Sequence, residues 1–178
     1  MGASRSKLEG WASERLDLAS TDELAACSLL QRQETKFVMP VAGLSELIGA
    51  LAPHYRAVQA GSSLAASYRT LYFDTPEFRC FRDHRVSLPH HKVRIRHYDD
   101  RRLTMLEVKT KTKEMRSLKF RQSKDYGNSE ISDAERAFVE SHLSFAADDL
   151  VSQLWTNFCR VTLVGQVGER VTIDCDLS

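Results

Sequence analysis

The sequence predicts an α+β fold in which a barrel-like antiparallel sheet is packed against external helices. At least five segments alternate ionic and apolar residues, which is typical of strands with one apolar face. Apolar residues recurring at i, i+3, i+4 and i+7 from Leu44, and a capping box at Ser132–Glu135, predict helices. If the apolar strand faces pack on helices, the ionic faces must converge inside a closed or strongly curved sheet.

The N-terminal third is predicted to begin with helix and continue with one strand and a second helix. Residues 8–30 form a mixed amphipathic segment that Ser20, Thr21 and Asp22 interrupt. The stretch 32–39, RQETKFVM, alternates as a first strand with ionic residues on one face and ends at Pro40. A helix follows over 44–51, and Pro53 ends it. We therefore divide the chain into a helical segment, 1–31, and a main domain, 32–178.

The remaining elements follow in order and bring the number of predicted strands to seven. A short helical or turn element is expected over 76–85, a turn at Asp99–Asp100 and a helix from Ser132 to about Phe145. The six further strands are 67–74, 92–98, 103–110, 118–121, 155–164 and 170–176.

The most regular of these segments is the basic ladder HKVRIRHY. Successive side chains of a strand point to opposite faces, so Lys92, Arg94, Arg96 and Tyr98 share one face, while Val93, Ile95 and His97 share the other. Same-face neighbours lie about 7 Å apart, and three like charges in a row repel one another. The ladder therefore requires water, carboxylates or a polyanion against it.

Charge is concentrated around this ladder. The whole chain has a formal net charge of only +1. Between Arg79 and Arg121, fourteen Lys or Arg stand against five Asp or Glu, a local net charge of +9. Such a block indicates an anionic ligand.

Cysteine spacing and hydropathy indicate a cytoplasmic location. The four cysteines include no CxxC pair and follow no apolar signal stretch, so we expect reduced thiols. No segment has the roughly 20 apolar residues that span a bilayer.

The order of the motifs resembles the VTC domain, the polyphosphate-polymerase branch of the CYTH-like triphosphate tunnel metalloenzymes. The motifs, in chain order, are E-x-K at Glu34, SYRTLYFDT from Ser67, K-x-R-x-R-x-Y from Lys92, L-E-x-K from Leu106, K-x-R at Lys119 and R-x-T-x-D from Arg170. The resemblance runs from about residue 32 to 177. It implies an eight-stranded antiparallel tunnel that binds a nucleotide triphosphate with basic side chains and a divalent ion. In polymerising members the terminal phosphoryl group passes to a polyphosphate chain.

Carried onto this sequence, the resemblance implies three groups of site residues, with ATP and inorganic phosphate or polyphosphate as the ligands. The catalytic candidates are Arg94, Arg96 and Lys109. The substrate-binding candidates are Lys36, Lys92, Lys119, Arg121, Arg160 and Arg170. The candidate ligands for Mn²⁺ or Mg²⁺ are Glu34, Glu107 and Asp174. Each of these carboxylates has an alternative interpretation as an internal salt-bridge partner, for Lys36, Lys109 or Arg170.

The sequence departs from the family pattern in two places. Arg32 stands two residues before Glu34, where many tunnel phosphatases carry an acidic residue, which favours a polymerase-like or binding site over a two-metal hydrolytic one. The chain stops at Ser178, where the family usually continues with strands carrying another E-x-K-type pair. We therefore expect a tunnel that is incomplete at the C-terminus, either as a fragment or as a tunnel open along one side.

Three functions remain open from the sequence. The first is a polyphosphate-synthesising transferase, and the second is a non-catalytic module that binds polyphosphate, inositol polyphosphates or nucleotides. The third, nucleic-acid binding, is disfavoured because the charges alternate onto one face and no RNA-stacking motif is present. Tyr68, Tyr72 and Phe73 either stack on an adenine or pack in the core.

Overall fold

The computed structural model describes residues 3–26, 34–86, 89–114 and 116–178. Within them the chain forms five α-helices and seven strands, and the strand pairs are antiparallel. The predicted α+β class is thereby confirmed. The chain divides into two compact units, Met1–Ser67 with Phe158–Ser178, and Tyr68–Asn157. No helix in the described parts of the chain is long and apolar enough to cross a membrane.

The first unit contains three helices and a small antiparallel sheet. Its elements are α1 (Ala3–Arg15), α2 (Thr21–Ala26), a 3-10 helix (Val41–Gly43), α3 (Leu44–Leu51), β1 (Tyr55–Ala57), the start of β2 (Ala65–Asp74), the end of β6 (Val151–Gly165) and β7 (Arg170–Cys175). Strand β6 pairs with both β1 and β7. The predicted interruption near Ser20 is the N-terminus of α2, where the Ser20 hydroxyl accepts from the Glu23 backbone and the Glu23 carboxylate accepts from the Ser20 backbone.

The core of the first unit lies between helices and one face of β6 and β7. Leu8 of α1 and Ile48 of α3 are fully buried against Val161 and Leu163 of β6. Alternation then places Arg160 on the opposite face of β6, where it pairs in register with Asp174 of β7. Cys159 and Cys175 are free and buried in this core, Cys80 is free and buried in the second unit, and Cys27 lies outside the described residues.

The predicted first strand over 32–39 is wrong for the residues that the structure describes. Residues 34–39 have no regular secondary structure and are exposed, with Phe37 at 88% and Val38 at 102% relative exposure. Residues 32 and 33, with Arg32 among them, lie outside the described residues. Alternation alone does not make a strand, because its backbone groups need a neighbouring strand to bond.

The second unit contains part of an antiparallel sheet, with one helix packed on the apolar face of the sheet. Its elements are the rest of β2, α4 (Arg79–Val86), β3 (His90–Tyr98), β4 (Leu103–Lys111), β5 (Ser117–Lys124), α5 (Asp133–Glu140), the 3-10 helices Asp99–Arg101 and Ala147–Asp149, and the start of β6. The strands lie in the order β2-β3-β4-β5.

The apolar face of this sheet forms the core of the second unit. Val93, Ile95, Leu106 and Val108 are fully buried and cluster with Val139 of α5. The Ser132–Glu135 capping box is confirmed and begins α5. The helix ends at Glu140, five residues earlier than predicted. With one face of β3 and β4 buried in this way, the ionic residues of both strands are left on the other face.

Candidate functional site

The face of β3, β4 and β5 opposite the apolar core carries seven cations and one carboxylate, and we call it the basic face. Directly opposed residues of paired strands share a face, so the register assigns each side chain. The cations are Lys92, Arg94, Arg96, Lys109, Lys111, Lys119 and Arg121, and the carboxylate is Glu107. The predicted alternation of β3, β4 and β5 is therefore confirmed.

Two rows of side chains cross the basic face. In the lysine row, Lys92, Lys109 and Lys119 lie directly opposite one another on β3, β4 and β5. In the adjacent arginine row, Arg94, Glu107 and Arg121 are opposed in the same way. Opposed residues have Cβ atoms about 5 Å apart, and like charges at that distance destabilise the sheet. An anion lying over the lysine row would relieve that repulsion.

Glu107 is the centre of the arginine row and bonds three cations. Its carboxylate is 1% exposed, with Oε2 2.6 Å from both Nε and Nη2 of Arg94. Its Oε1 lies 2.7 Å from Lys119 Nζ and 3.1 Å from Arg121 Nε. The predicted salt-bridge partner on its own strand, Lys109, is not among them. One carboxylate thus gathers side chains from β3 and β5, and the cluster keeps a net charge of +2.

The pKa values of the cluster follow from its excess of cations over carboxylate. Burial alone would raise the pKa of Glu107, but Arg94 and Lys119 lower it to about 2. Burial lowers the pKa of Lys119 to about 8, because the hydrogen bond to Glu107 does not offset desolvation and repulsion by Arg94 and Arg121. Burial opposes the charge of Arg94, but Glu107 outweighs it and raises the pKa of this guanidinium. The carboxylate therefore stabilises the charged form of Arg94, but it only partly offsets the cost of burying the charged Lys119 amine.

Arg96 lies in a different environment, two residues along β3. It is buried, its Nε donates to Thr70 Oγ1 at 2.9 Å, and its guanidinium lies over the Tyr68 ring. Burial and then the neighbouring Arg94 lower its pKa. Arg94 also contacts a tyrosine of β2, since the Tyr72 hydroxyl accepts a hydrogen bond of 3.2 Å from Arg94 Nη1. Of the three aromatic residues of β2 whose role the sequence left open, only Phe73 packs in the apolar core.

The other predicted site residues belong to the first unit. Arg160 binds Asp174 through two parallel bonds of 2.5 and 2.6 Å, and Arg170 is exposed on β7. Lys36 pairs with Glu34 at 3.7 Å, as the salt-bridge interpretation predicts, although both side chains are more than two-thirds exposed. The roles of these residues in a site stay predictions.

The carboxylates predicted as metal ligands are each engaged by cations. Glu107 uses both oxygens for Arg94, Lys119 and Arg121, and Asp174 uses both for Arg160. Over the described ranges, no three His, Cys, Asp or Glu side chains cluster as metal ligands do. Metal ligation by these carboxylates therefore stays a prediction.

The two arginines of β3 are expected to respond differently to substitution. Arg94→Ala removes the guanidinium that contacts Oε2 of the buried Glu107 carboxylate and should lower both stability and tripolyphosphate affinity. Arg96→Ala removes a buried cation that Arg94 repels, so it should weaken binding by about tenfold, one charged contact, at little cost in stability. Calorimetric titration and urea unfolding of both variants test this. Equal losses of stability in the two variants would contradict it.

Anion binding to the basic face should depend on pH through Lys119. Its pKa of about 8 lies below the ordinary lysine value, and a bound anion favours the charged amine. Affinity is therefore nearly full at pH 7 and should fall by about fivefold by pH 9, where about a tenth of the amines are protonated and the neutral amine binds about tenfold more weakly. Tripolyphosphate titrations at pH 7 and pH 9 measure the ratio. The control is Lys119→Arg, whose side chain stays charged at both pH values, so its affinity ratio reports the titration of the ligand alone. An identical ratio in the wild type and in this variant would refute the role of Lys119.

Comparison with known protein families identifies the family of this chain. The family model for the VTC domain matches residues 31–178. This range includes every predicted site residue, from Glu34 to Asp174. A comparison with curated proteins finds no match. The VTC domain family is linked to polyphosphate metabolism, and the chain belongs to this family.

Proposed function

We propose that this chain binds nucleoside triphosphate and polyphosphate and transfers the terminal phosphoryl group of ATP to a polyphosphate chain. The observation that carries the proposal is the basic face, with seven cations against one carboxylate. Phosphate oxygens suit this set of donors, since Arg forks bind them in pairs and Lys acts as a point charge. The family's link to polyphosphate metabolism supports the same ligand class.

Phosphoryl transfer requires mainly position and charge neutralisation, which are what arginine and lysine side chains supply. In the proposed reaction an oxygen of inorganic phosphate or of a polyphosphate end attacks the γ-phosphorus, and the bond to the β–γ bridging oxygen breaks to release ADP. Arg94, Arg96 and Lys109 would stabilise the charge on the transferred group. The lysine row would hold the adjacent phosphates in line.

A non-catalytic module that binds polyphosphate, inositol polyphosphate or nucleotide is the second candidate function. It is favoured by one observation, the engagement of Glu107 and Asp174 by cations. A site whose carboxylates are used to order cations can hold phosphates without turning them over. The basic face would then act as a receptor surface.

One assay separates the two functions. The chain is incubated with ATP and either Mn²⁺ or Mg²⁺, and ADP and chain length are followed by ³¹P NMR, while calorimetry measures tripolyphosphate binding. ADP release with chain growth supports the transferase, and binding without turnover supports the module. Absence of binding to ATP, to tripolyphosphate and to inositol hexakisphosphate overturns both. Equal competition by single-stranded or duplex DNA, at matched phosphate concentration, would instead support the nucleic-acid hypothesis.

A further inference from the structure

Glu107 is the one carboxylate of the basic face, and it is more deeply buried than any of the three cations it binds. We propose that Glu107 is a positioning residue that makes the basic face selective for linear phosphate chains over other polyanions. This inference rests on the proposed function and assigns to Glu107 a role different from that of a metal ligand.

The geometry fixes three side chains from two strands relative to one point. Both Nε and Nη2 of Arg94 contact Oε2, which sets the plane of the guanidinium. Lys119 and Arg121, two residues apart on β5, converge on Oε1. Each of these long side chains has several rotatable bonds, and without an anchor it samples many rotamers. Glu107 therefore selects one arrangement of three charges before any ligand arrives.

The anchored cations keep donors for a ligand. An ammonium group has three N–H donors and a guanidinium has five. Lys119 uses one donor for Glu107, and Arg121 contacts it through Nε. Arg94 directs Nη1 to Tyr72. The carboxylate thus orders the cations while the cluster keeps its excess of positive charge.

The charge of Glu107 and its ordering of the three cations lead to opposite expectations for Glu107→Gln. The substitution adds one positive charge to the face, which favours every polyanion alike. It also removes the anchor, which disfavours only a ligand whose charges must match a fixed spacing. If Glu107 positions the cations, tripolyphosphate affinity falls while affinity for a differently shaped polyanion stays or rises. If Glu107 merely competes as an anion, both affinities rise together.

The test compares tripolyphosphate with sucrose octasulfate, whose charges surround a compact sugar, in calorimetric titrations of the full chain. We expect Glu107→Gln to lower the preference for tripolyphosphate by at least tenfold. Glu107→Asp keeps the charge but shortens the side chain, and should lower the preference about threefold; it carries the test alone if the Gln variant does not fold. The control is Asp99→Asn, since Asp99 bonds Arg69 and Tyr126 outside the basic face, and its preference should equal that of the wild type.

The outcomes distinguish this inference from the proposed function. A wild-type chain that does not bind tripolyphosphate overturns the proposed function itself. A wild-type chain that binds tripolyphosphate, with Glu107→Asp and any folded Glu107→Gln variant showing the wild-type preference, overturns the positioning role alone.

Discussion

Replacement of Glu107 by alanine is expected to lower the free energy of unfolding by about 3 kcal/mol. Removing one partner of a buried ion pair typically costs about 3–5 kcal/mol, because the other charge is left buried without compensation. Here three cations lose their shared counterion. The expected value is at the lower end because Arg121 is about half exposed and can turn to water.

Urea unfolding at pH 7 measures this loss. The control is Glu34→Ala, which removes an exposed carboxylate paired with Lys36 and should change stability by less than about 0.5 kcal/mol. A loss below about 1 kcal/mol for Glu107→Ala would contradict the account of the cluster. The lowered pKa of Glu107 also determines how its contribution to stability depends on pH. Its contribution is complete above the ordinary glutamate pKa and is lost as the pH falls through about 2.

The second large effect is expected for the lysine row. Simultaneous replacement of Lys92, Lys109 and Lys119 by glutamine should weaken tripolyphosphate binding by about a hundredfold. A charged contact near a protein surface is worth about 1–4 kcal/mol at 4 Å, and each 1.4 kcal/mol is a factor of ten. Stability should fall by less than in Glu107→Ala, because only one of the three cations bound to Glu107 is lost and the substitution also removes repulsion between opposed like charges. The affinity of the variant should depend less on ionic strength.

Calorimetry at low and physiological ionic strength tests this prediction. The matched control replaces Lys7, Arg101 and Lys113, three exposed cations outside the row, by glutamine. The control makes the same change in net charge, so it isolates position from total charge. Equal losses of affinity in the two triple variants would show that binding is a property of overall charge and would remove the lysine row from the site.

Much of the basic face could be predicted from the sequence, because alternation with a period of two assigns faces once a strand is identified. The strand HKVRIRHY, with Val93 and Ile95 on its apolar side, admits one orientation against a core. The prediction failed for 34–39, the described part of the predicted strand 32–39, where the same pattern has no pairing strand. The local residue pattern predicts which face a strand would bury, but whether the strand finds a pairing partner depends on residues that are distant in the sequence.

The partners of Glu107 could not be predicted for a related reason. The sequence suggested Lys109, two residues away on the same strand, but same-face neighbours on one strand lie about 7 Å apart. Directly opposed residues on paired strands are closer, at about 5 Å, and the register of β3 and β5 against β4 depends on the intervening turns. Arg94 and Arg121 become partners only once that register is known.

The alternation of β3 has a consequence for folding fidelity. A slip of one residue in its pairing would exchange the two faces of the strand. It would drive Arg94 and Arg96 into the apolar layer beneath α5 and expose Val93 and Ile95, at the cost of burying two guanidinium groups away from any carboxylate. The residues proposed to hold phosphate thus also exclude the misregistered sheet. Glutamine in place of Arg94 and Arg96 stays polar and should still disfavour the misregistered pairing. Leucine at the same two positions would remove that penalty.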